Sequence, residues 1–308
     1  MPDMVKRLSD RICMVTGATS GIGAATAKSL VQQGATVIIV GRDLKKCIDT
    51  VQRIKRADKH ASIDFIVADL SLQKHVHQCA AQFKQNHHRL DILINNAGAR
   101  FLSRLQTAEG FEMNFALNYL GPFLLTQLLL KELNASSQGR IINVASEAHR
   151  ACPGINFDDL QYHKRYSGKE AYAQSKLASL LTTYEMARRL EGTRVTVNAL
   201  EPGNVVTNFS RNNGLISWAR HIVGSFMHGK VVWPKEGAKT SIYLASSPDV
   251  EGTSGQYFSK RQAVRSSDVS YDGDVARRLW QLSLDLTILK TDKREKMNLC
   301  EFRGHTTY

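Results

Sequence analysis

The chain has 308 residues, 43% of them hydrophobic, and a formal charge of +13 from 41 basic and 28 acidic side chains. At roughly 100 to 200 residues per domain this length fits one large domain or two small ones, with enough apolar content for a buried core. No window approaches the ~18 consecutive apolar residues of a membrane span, and the charged first ten residues argue against a secretory leader, so a soluble, intracellular, cytoplasmic protein is expected.

Cys13, Cys47, Cys79, Cys152 and Cys300 are odd in number, widely spaced, and form no CxxC or Cys/His metal pattern, so reduced thiols are expected. Basic charge is dispersed in pairs such as Lys45/Lys46 and Arg188/Arg189. That pattern favours a solvated surface over a nucleic-acid footprint.

The apolar run Ile12-Cys13-Met14-Val15 ends in Thr16-Gly17-Ala18-Thr19-Ser20-Gly21-Ile22-Gly23, after which 24–33 has helical composition. Strand, glycine turn and helix form the context of a phosphate-binding loop. Glycines let the backbone approach a pyrophosphate, and the helix N-terminus points unpaired N–H groups and partial positive charge at it. The spacing is GxxxGxG. A β-branched strand follows over 35–40 and ends in Gly41-Arg42, where an acidic residue would accept the 2′-hydroxyl of NAD. Arginine there favours a 2′-phosphate, hence NADP; Asp43, directly after it, is read either as a ribose ligand or as a cap on the next helix.

The alternation continues with a helix over 44–57, a strand over 62–68 ending in Asp69, a helix over 73–86, and a strand over 90–94 closed by Asn95-Asn96-Ala97-Gly98. Strands alternating with helices of this length predict a parallel sheet covered on both faces, whose ligands sit at the carboxyl ends of the strands. That rule places the glycine turn, Arg42, Asp69 and Asn95 to Gly98 on one rim.

A long helix is predicted over 107–133, carrying Asn118 in a largely apolar stretch; its plain reading is a satisfied core amide. The strand over 140–145 delivers Ser146 to the rim. In the helix predicted over 169–190, Tyr172 and Lys176 lie four residues apart and so share a face. A fixed cation lowers a phenol's pKa, which opens a route to proton transfer, although a chance surface pair is the bland alternative. The next strand, over 195–200, leads to Pro202-Gly203. The segment 204–235, with Trp218, Phe226, Met227 and Trp233, reads as a substrate lid, a surface helix or a peripheral membrane contact. A helix over 234–246, a strand over 255–258 and a helix over 275–289 complete a single domain, 9–289, between a tail at 1–8 and a charged tail at 290–308.

These residues resemble the short-chain dehydrogenase/reductase family. TGxxxGIG at Thr16 to Gly23, NNAG at Asn95 to Gly98, YxxSK at Tyr172 to Lys176 and Pro202-Gly203 carry the likeness over roughly 9–258. Gly41-Arg42-Asp43, the run from Leu117 to Thr126 and the tail over 255–280 look like the retinol-dehydrogenase-like branch. The resemblance implies an α/β Rossmann-type doubly wound parallel sheet of about seven strands with helices on both faces. It also implies an NADP(H)-dependent oxidoreductase acting on a carbonyl or alcohol of an apolar small molecule. In it Tyr172 would be the general acid, Lys176 would lower the phenol's pKa and bind the nicotinamide ribose, Ser146 would hold the substrate oxygen, and Asn118 would hold a water. Cofactor contacts would come from Gly17, Thr19, Ser20, Gly21, Ile22, Gly23, Arg42, Asp69, Leu70, Asn96, Ala97, Gly98, Tyr172, Lys176, Pro202, Gly203, Val205 and Thr207.

The family often forms homodimers or homotetramers through the helices bearing Asn118 and Tyr172. Membrane-associated relatives often begin with an apolar anchor, which this sequence lacks. Two other functions fit the scaffold: a non-catalytic NADP(H) sensor, against which the intact Ser146, Tyr172 and Lys176 set argues, and a different reaction such as epimerisation or dehydration.

Overall fold

The computed structural model describes residues 7–203, 205 and 233–287. Eight strands form one sheet in the order β3-β2-β1-β4-β5-β6-β7-β8. In chain order they are β1 (Ile12–Thr16), β2 (Thr36–Gly41), β3 (Ile63–Val67), β4 (Ile92–Asn95), β5 (Gly139–Val144), β6 (Val195–Glu201), β7 (Tyr257–Ser259) and β8 (Gln262–Ala263). The first seven are parallel and β8 runs antiparallel to β7. Strand order reverses between β1 and β4, the switch point at which such sheets bind ligands.

Each central strand is apolar on both sides because both faces are covered. Met14, Ile38, Val40, Leu93 and Ile141 pack with α3 (Gln73–Asn86), α5 (Gly121–Leu128) and α7 (Gly168–Arg189). Their neighbours Cys13, Val15, Val37, Ile39 and Ile142 pack with α1 (Gly21–Gln32), α2 (Leu44–Ala57) and α9 (Lys239–Ser246), which follows the short α8 (Pro234–Gly237). The alternation follows from the two-residue period of a strand. Cys13, Cys47, Cys79 and Cys152 are buried free thiols.

Three elements differ from the sequence reading. The helix predicted over 107–133 starts only at α4 (Met113–Phe115), because Gly110 at φ +91° turns the chain and Gln106 pairs with Glu112. It then passes through a π-helical segment, Ala116–Leu120, into α5, whose first turn holds Pro122, and ends in α6 (Leu130–Asn134). A proline has no N–H to give the preceding turn, and a local change of helical pitch just before it accommodates the loss. The helix predicted over 234–246 is split into α8 and α9. Lastly, Lys260 and Arg261, both at positive φ, form the two-residue turn that adds β8.

The last described helix, α10 (Gly273–Thr287), lies on α7 and the π segment. Leu279 joins Leu177, Leu181, Phe115 and Tyr119 in one apolar cluster. Trp280 stands edge-on to Phe123 at 5.1 Å with the Arg189 guanidinium over its ring at 4.6 Å, and the Tyr119 hydroxyl meets Ser283 Oγ at 2.6 Å. Helix α10 thus packs on parts of both the π segment that carries Asn118 and the α7 helix that carries Tyr172. No helix among the described residues is long and apolar enough to cross a membrane.

Candidate active site

The carboxyl ends of β1 and β4 are tied together by Thr16. Its Oγ1 donates to the Ile94 carbonyl at 3.3 Å and accepts from the Asn96 and Ala97 amides, each at 2.9 Å. Asn96 Nδ2 returns a bond to the Thr16 carbonyl at 2.7 Å. Side chains are excluded from this seam: a Cβ on Gly17, which sits at φ +64°, would lie 2.7 Å from Ala97 Cα, and one on Gly23 2.5 Å from Asn96 Nδ2.

Between them Ser20 is the extended N-cap of α1 and makes no side-chain cap bond. Twelve residues of helix thus open toward the glycine turn with their first amides uncapped, as a pyrophosphate site requires. Gly21, at φ +57°, and Ile22 begin that helix. Thr19 packs on Gly41 at the end of β2, and Arg42 beyond it is exposed. Asp43 accepts from the Lys46 amide at 3.1 Å, so of its two readings the helix cap is the one realised here. Asp69 accepts from the Ser71 amide and hydroxyl at 3.0 and 2.7 Å, and Leu70 after it is buried. At the end of β6, Glu201 takes the Gly203 amide at 2.6 Å and the Ser259 hydroxyl at 2.5 Å, which fixes the Pro202-Gly203 turn. Val205 reaches Gly237. Thr207 and most of the segment 204–235 lie outside the described residues.

The residues that bear on proton transfer meet where β5 and α7 approach. Ser146, just past β5, and Tyr172, in the first turns of α7, stand close enough for the Ser146 hydroxyl to favour the phenolate. Tyr172 is 8% and Lys176 5% exposed. Lys176 Nζ donates to the Val144 carbonyl at 2.8 Å and lies 5.8 Å from the centre of the Tyr172 ring. Burial pushes the Tyr172 phenol up to about 12, opposed by the Ser146 hydrogen bond and the charge of Arg100. Burial also pulls the Lys176 ammonium down to about 8. The charge of Arg100 thus joins the nearby Lys176 ammonium, which itself donates to the Val144 carbonyl.

Asn118, 3% exposed in the π segment, gives its whole amide to protein. It bonds both the N–H and the C=O of Ala99, and its Nδ2 also donates to Ser175 Oγ at 3.1 Å. Asn114 does the same to Phe101, from its Oδ1 at 3.0 Å and its Nδ2 at 3.1 Å. Arg100 lies in the chain between the two clamped residues, Ala99 and Phe101. Gly98 closes the group, since a Cβ there would stand 3.1 Å from Asn118 Oδ1 and 3.6 Å from Lys176 Nζ.

Sequence reasoning missed Arg100, Asn114 and His149, the last of which contacts the Ser146 carbonyl at 2.6 Å. The four-residue spacing of Asn114 and Asn118 was a usable signal, because it places two amides on one helix face. Arg100 and His149 offered none. Two clefts of about 320 and 750 Å³ share Gln138, Arg140 and Glu251 and open at the amino ends of the strands, away from these residues. Among the described residues no cluster of His, Cys, Asp or Glu could hold a metal ion.

A profile of the short chain dehydrogenase family matches residues 11–215. Human retinol dehydrogenase 14 is 41% identical over 283 residues, spanning 88% of this chain and 84% of its own. Human polyprenol dehydrogenase is 39% identical over 286 residues, spanning 90% and 85%. Among solved structures, a protein of Mycobacterium paratuberculosis superposes with a TM-score of 0.71 at 33% identity, covering 91% of this chain and 94% of that one. The Pseudomonas aeruginosa RhlG/NADP active-site complex superposes with a TM-score of 0.66 at 29% identity, covering 82% and 96%.

Proposed function

The chain belongs to the short-chain dehydrogenase family, oxidoreductases that use a nicotinamide cofactor, and from that membership we propose an NADP(H)-dependent enzyme that interconverts a carbonyl and an alcohol on an apolar small molecule. The observation that carries the reading is the meeting of the buried Tyr172 with Ser146 past β5, with Lys176 one helical turn farther along and 5.8 Å from the centre of the Tyr172 ring.

The described residues fit the cofactor. The uncapped start of α1 and the seam kept clear by Gly17 and Gly23 suit a pyrophosphate, with Asn96, Ala97 and Gly98 beside it. Arg42 suits a 2′-phosphate, because the Asp43 carboxylate that would compete for a ribose is engaged by α2. Relatives named for retinol and polyprenol, both apolar alcohols, support an apolar substrate.

In reduction, Ser146 and Tyr172 both point hydroxyls at the substrate oxygen. When bound, the nicotinamide supplies the hydride. Tyr172 then gives its phenolic proton to the oxygen as charge develops there. A phenol held near 12 stays protonated at neutral pH, as an acid must. Once the proton has left, the Arg100 and Lys176 cations stabilise the phenolate. Asn118, its amide engaged with Ala99 and Ser175, positions the loop of Arg100, so a water-holding role would fall to its main chain.

The test is a spectrophotometric screen of apolar aldehydes, ketones and alcohols with NADPH and NADH side by side. Turnover with NADPH preferred is expected. Preference for NADH would remove the role given to Arg42, and cofactor binding with no turnover of any class would favour a sensor.

A further inference from the structure

Three residues beyond Ser146 stands a histidine that solvent does not touch. His149 is 0% exposed, in the 3₁₀ turn Glu147–Ala151. Its Nδ1 lies 2.6 Å from the Ser146 carbonyl oxygen, and the backbone N–H of Ser267 points at its Nε2 from 3.1 Å. A backbone amide can only donate, so Nε2 carries the lone pair and Nδ1 the proton. The ring is thus a neutral imidazole fixed in one tautomer, donating to Ser146 and accepting from Ser267. It stands edge-on to Tyr257 with ring centres 5.2 Å apart.

Ser267 belongs to a strap over 264–271 that follows β8 and precedes α10. Arg150 donates to the Arg265 carbonyl at 2.6 Å, and Ser266 Oγ meets the Tyr184 hydroxyl of α7 at 2.6 Å. Tyr271 stacks on Tyr184 with ring centres 5.0 Å apart, and Ser270 Oγ donates to the Ser267 carbonyl at 2.6 Å. The strap is therefore fastened to the helix of Tyr172 and, through His149, to the main chain of Ser146. The Ser146 hydroxyl itself is held by a longer contact, accepting from the Ala148 amide at 3.2 Å. Its aim is set largely by its backbone.

We infer that His149 is a positioning residue for the reaction: as a neutral imidazole it ties the Ser146 main chain to the strap over 264–271 and so keeps the Ser146 hydroxyl in register with Tyr172 and the substrate oxygen. This rests on the reading of Ser146 as the oxygen-binding residue. A misplacement of ~1 Å in such a group can cost about 100-fold in rate.

The link is sensitive to protonation. A proton on Nε2 would set two donors, the imidazolium and the Ser267 amide, against each other. Burial holds His149 below the ordinary histidine value; the Ser146 carbonyl opposes this, Arg150 reinforces it, and the carboxylates of Glu147 and Glu201 oppose it. Glu147 and Arg150 face it from its own turn, Glu201 from β6, and Tyr257 from β7, whose hydroxyl donates to Glu147 Oε1 at 3.1 Å. Tyr184 of α7 and Arg265 of the strap bound the same pocket through Ser266 and Arg150.

The test compares pH–rate profiles of the full chain, wild type against H149N and H149F, with NADPH and an active carbonyl substrate. Asn places a donor near Nδ1 but does not titrate. The wild type is expected to lose kcat on the acid side, with the limb displaced below the unperturbed histidine value of about 6.5. H149N should stay within about tenfold of wild type at neutral pH and lack that limb. H149F should lose about 10- to 100-fold in kcat with KM for NADPH unchanged. An unaltered acid limb in H149N, or full kcat in H149F, would overturn the inference. Should H149F fail to fold, nitrogen-15 NMR of the wild-type imidazole decides: the Nδ1–H tautomer supports the inference and the Nε2–H tautomer defeats it. S146A run in parallel separates the two readings. Turnover retained in S146A removes the serine assignment and this inference with it, whereas an inactive S146A beside wild-type profiles in both His149 variants removes this inference alone.

Discussion

Asn118 pairs with Ala99 as a neighbouring strand would, its Oδ1 accepting the Ala99 N–H and its Nδ2 donating to the Ala99 carbonyl, both at 2.9 Å. One side chain thus satisfies two buried main-chain groups beside Gly98 and fixes the backbone from which Arg100 projects. Replacing it with leucine leaves both groups unpaired, at about 1–3 kcal/mol each. Asn118→Leu is expected to lower the thermal midpoint and reduce kcat by at least tenfold, read by calorimetry and steady-state kinetics. Wild-type values for both would show that the clamp holds nothing the reaction uses.

Removing the phenolic hydroxyl tests the proton donor directly. Tyr172→Phe should lower turnover by roughly 10²- to 10⁴-fold, the usual contribution of a positioned acid. NADPH binding, followed by fluorescence, should stay as in the wild type. Substantial residual turnover would mean that another group delivers the proton.

Arg100 is expected to act on the acidity of the same phenol. Its charge lowers the Tyr172 value against the rise caused by burial, so Arg100→Leu lets that value climb. In the direction of alcohol oxidation, where the phenolate is the base, the rising limb of the pH–rate profile should move to higher pH. A limb that stayed in place would assign the tuning to the bound cofactor and Lys176.

Cofactor choice should follow Arg42. A charge-assisted hydrogen bond contributes roughly 1.5–3 kcal/mol, about 10- to 100-fold in affinity. Arg42→Ala should lose that factor for NADPH and little for NADH. Equal losses for both would place Arg42 on a group the two cofactors share.

Away from the rim, Asp91 holds the start of the sheet. It is 1% exposed and accepts from the Ile12 amide at 2.8 Å, Ser136 Oγ at 2.6 Å, and Arg11 and Arg89, each at 3.1 Å. Burial alone would raise its carboxyl; the Ile12, Ser136 and Arg11 hydrogen bonds and the Arg89 charge outweigh it and hold the group below its usual value. The unfolded chain therefore binds this proton more readily than the folded one. The resulting stability is complete above about pH 4 and is lost as pH falls through the depressed folded value. Asp91→Asn should unfold about 1–3 kcal/mol more easily at pH 7, with a smaller difference near pH 3 in urea titrations. A difference that did not shrink at pH 3 would place the effect in packing rather than charge.

The parallel sheet was legible because its central strands are apolar on both sides and β1 and β2 stop at Gly17 and Gly41, and the rim was legible because ligand groups in such sheets gather at strand ends. Ser146, Tyr172 and Lys176 could be assembled from those two facts. The π segment was hidden because Pro122 sits where an α-helix also tolerates proline, at the start of α5. The turn into β8 carries no Asn-Gly signature; lysine and arginine occupy its left-handed positions instead. The bond between His149 and Ser267 joins residues 118 apart, and no periodicity reports a contact of that range. What the sequence concealed was therefore pairing between distant segments, which only tertiary packing decides.

Helix α10 supplies hydroxyl, indole and leucine contacts to the surface formed by α7 and the π segment. An intramolecular element of this kind is present at a fixed effective concentration, whatever the amount of protein in solution. The Tyr119–Ser283 and Phe123–Trp280 contacts should accordingly persist on dilution to nanomolar levels, read as unchanged Trp280 fluorescence.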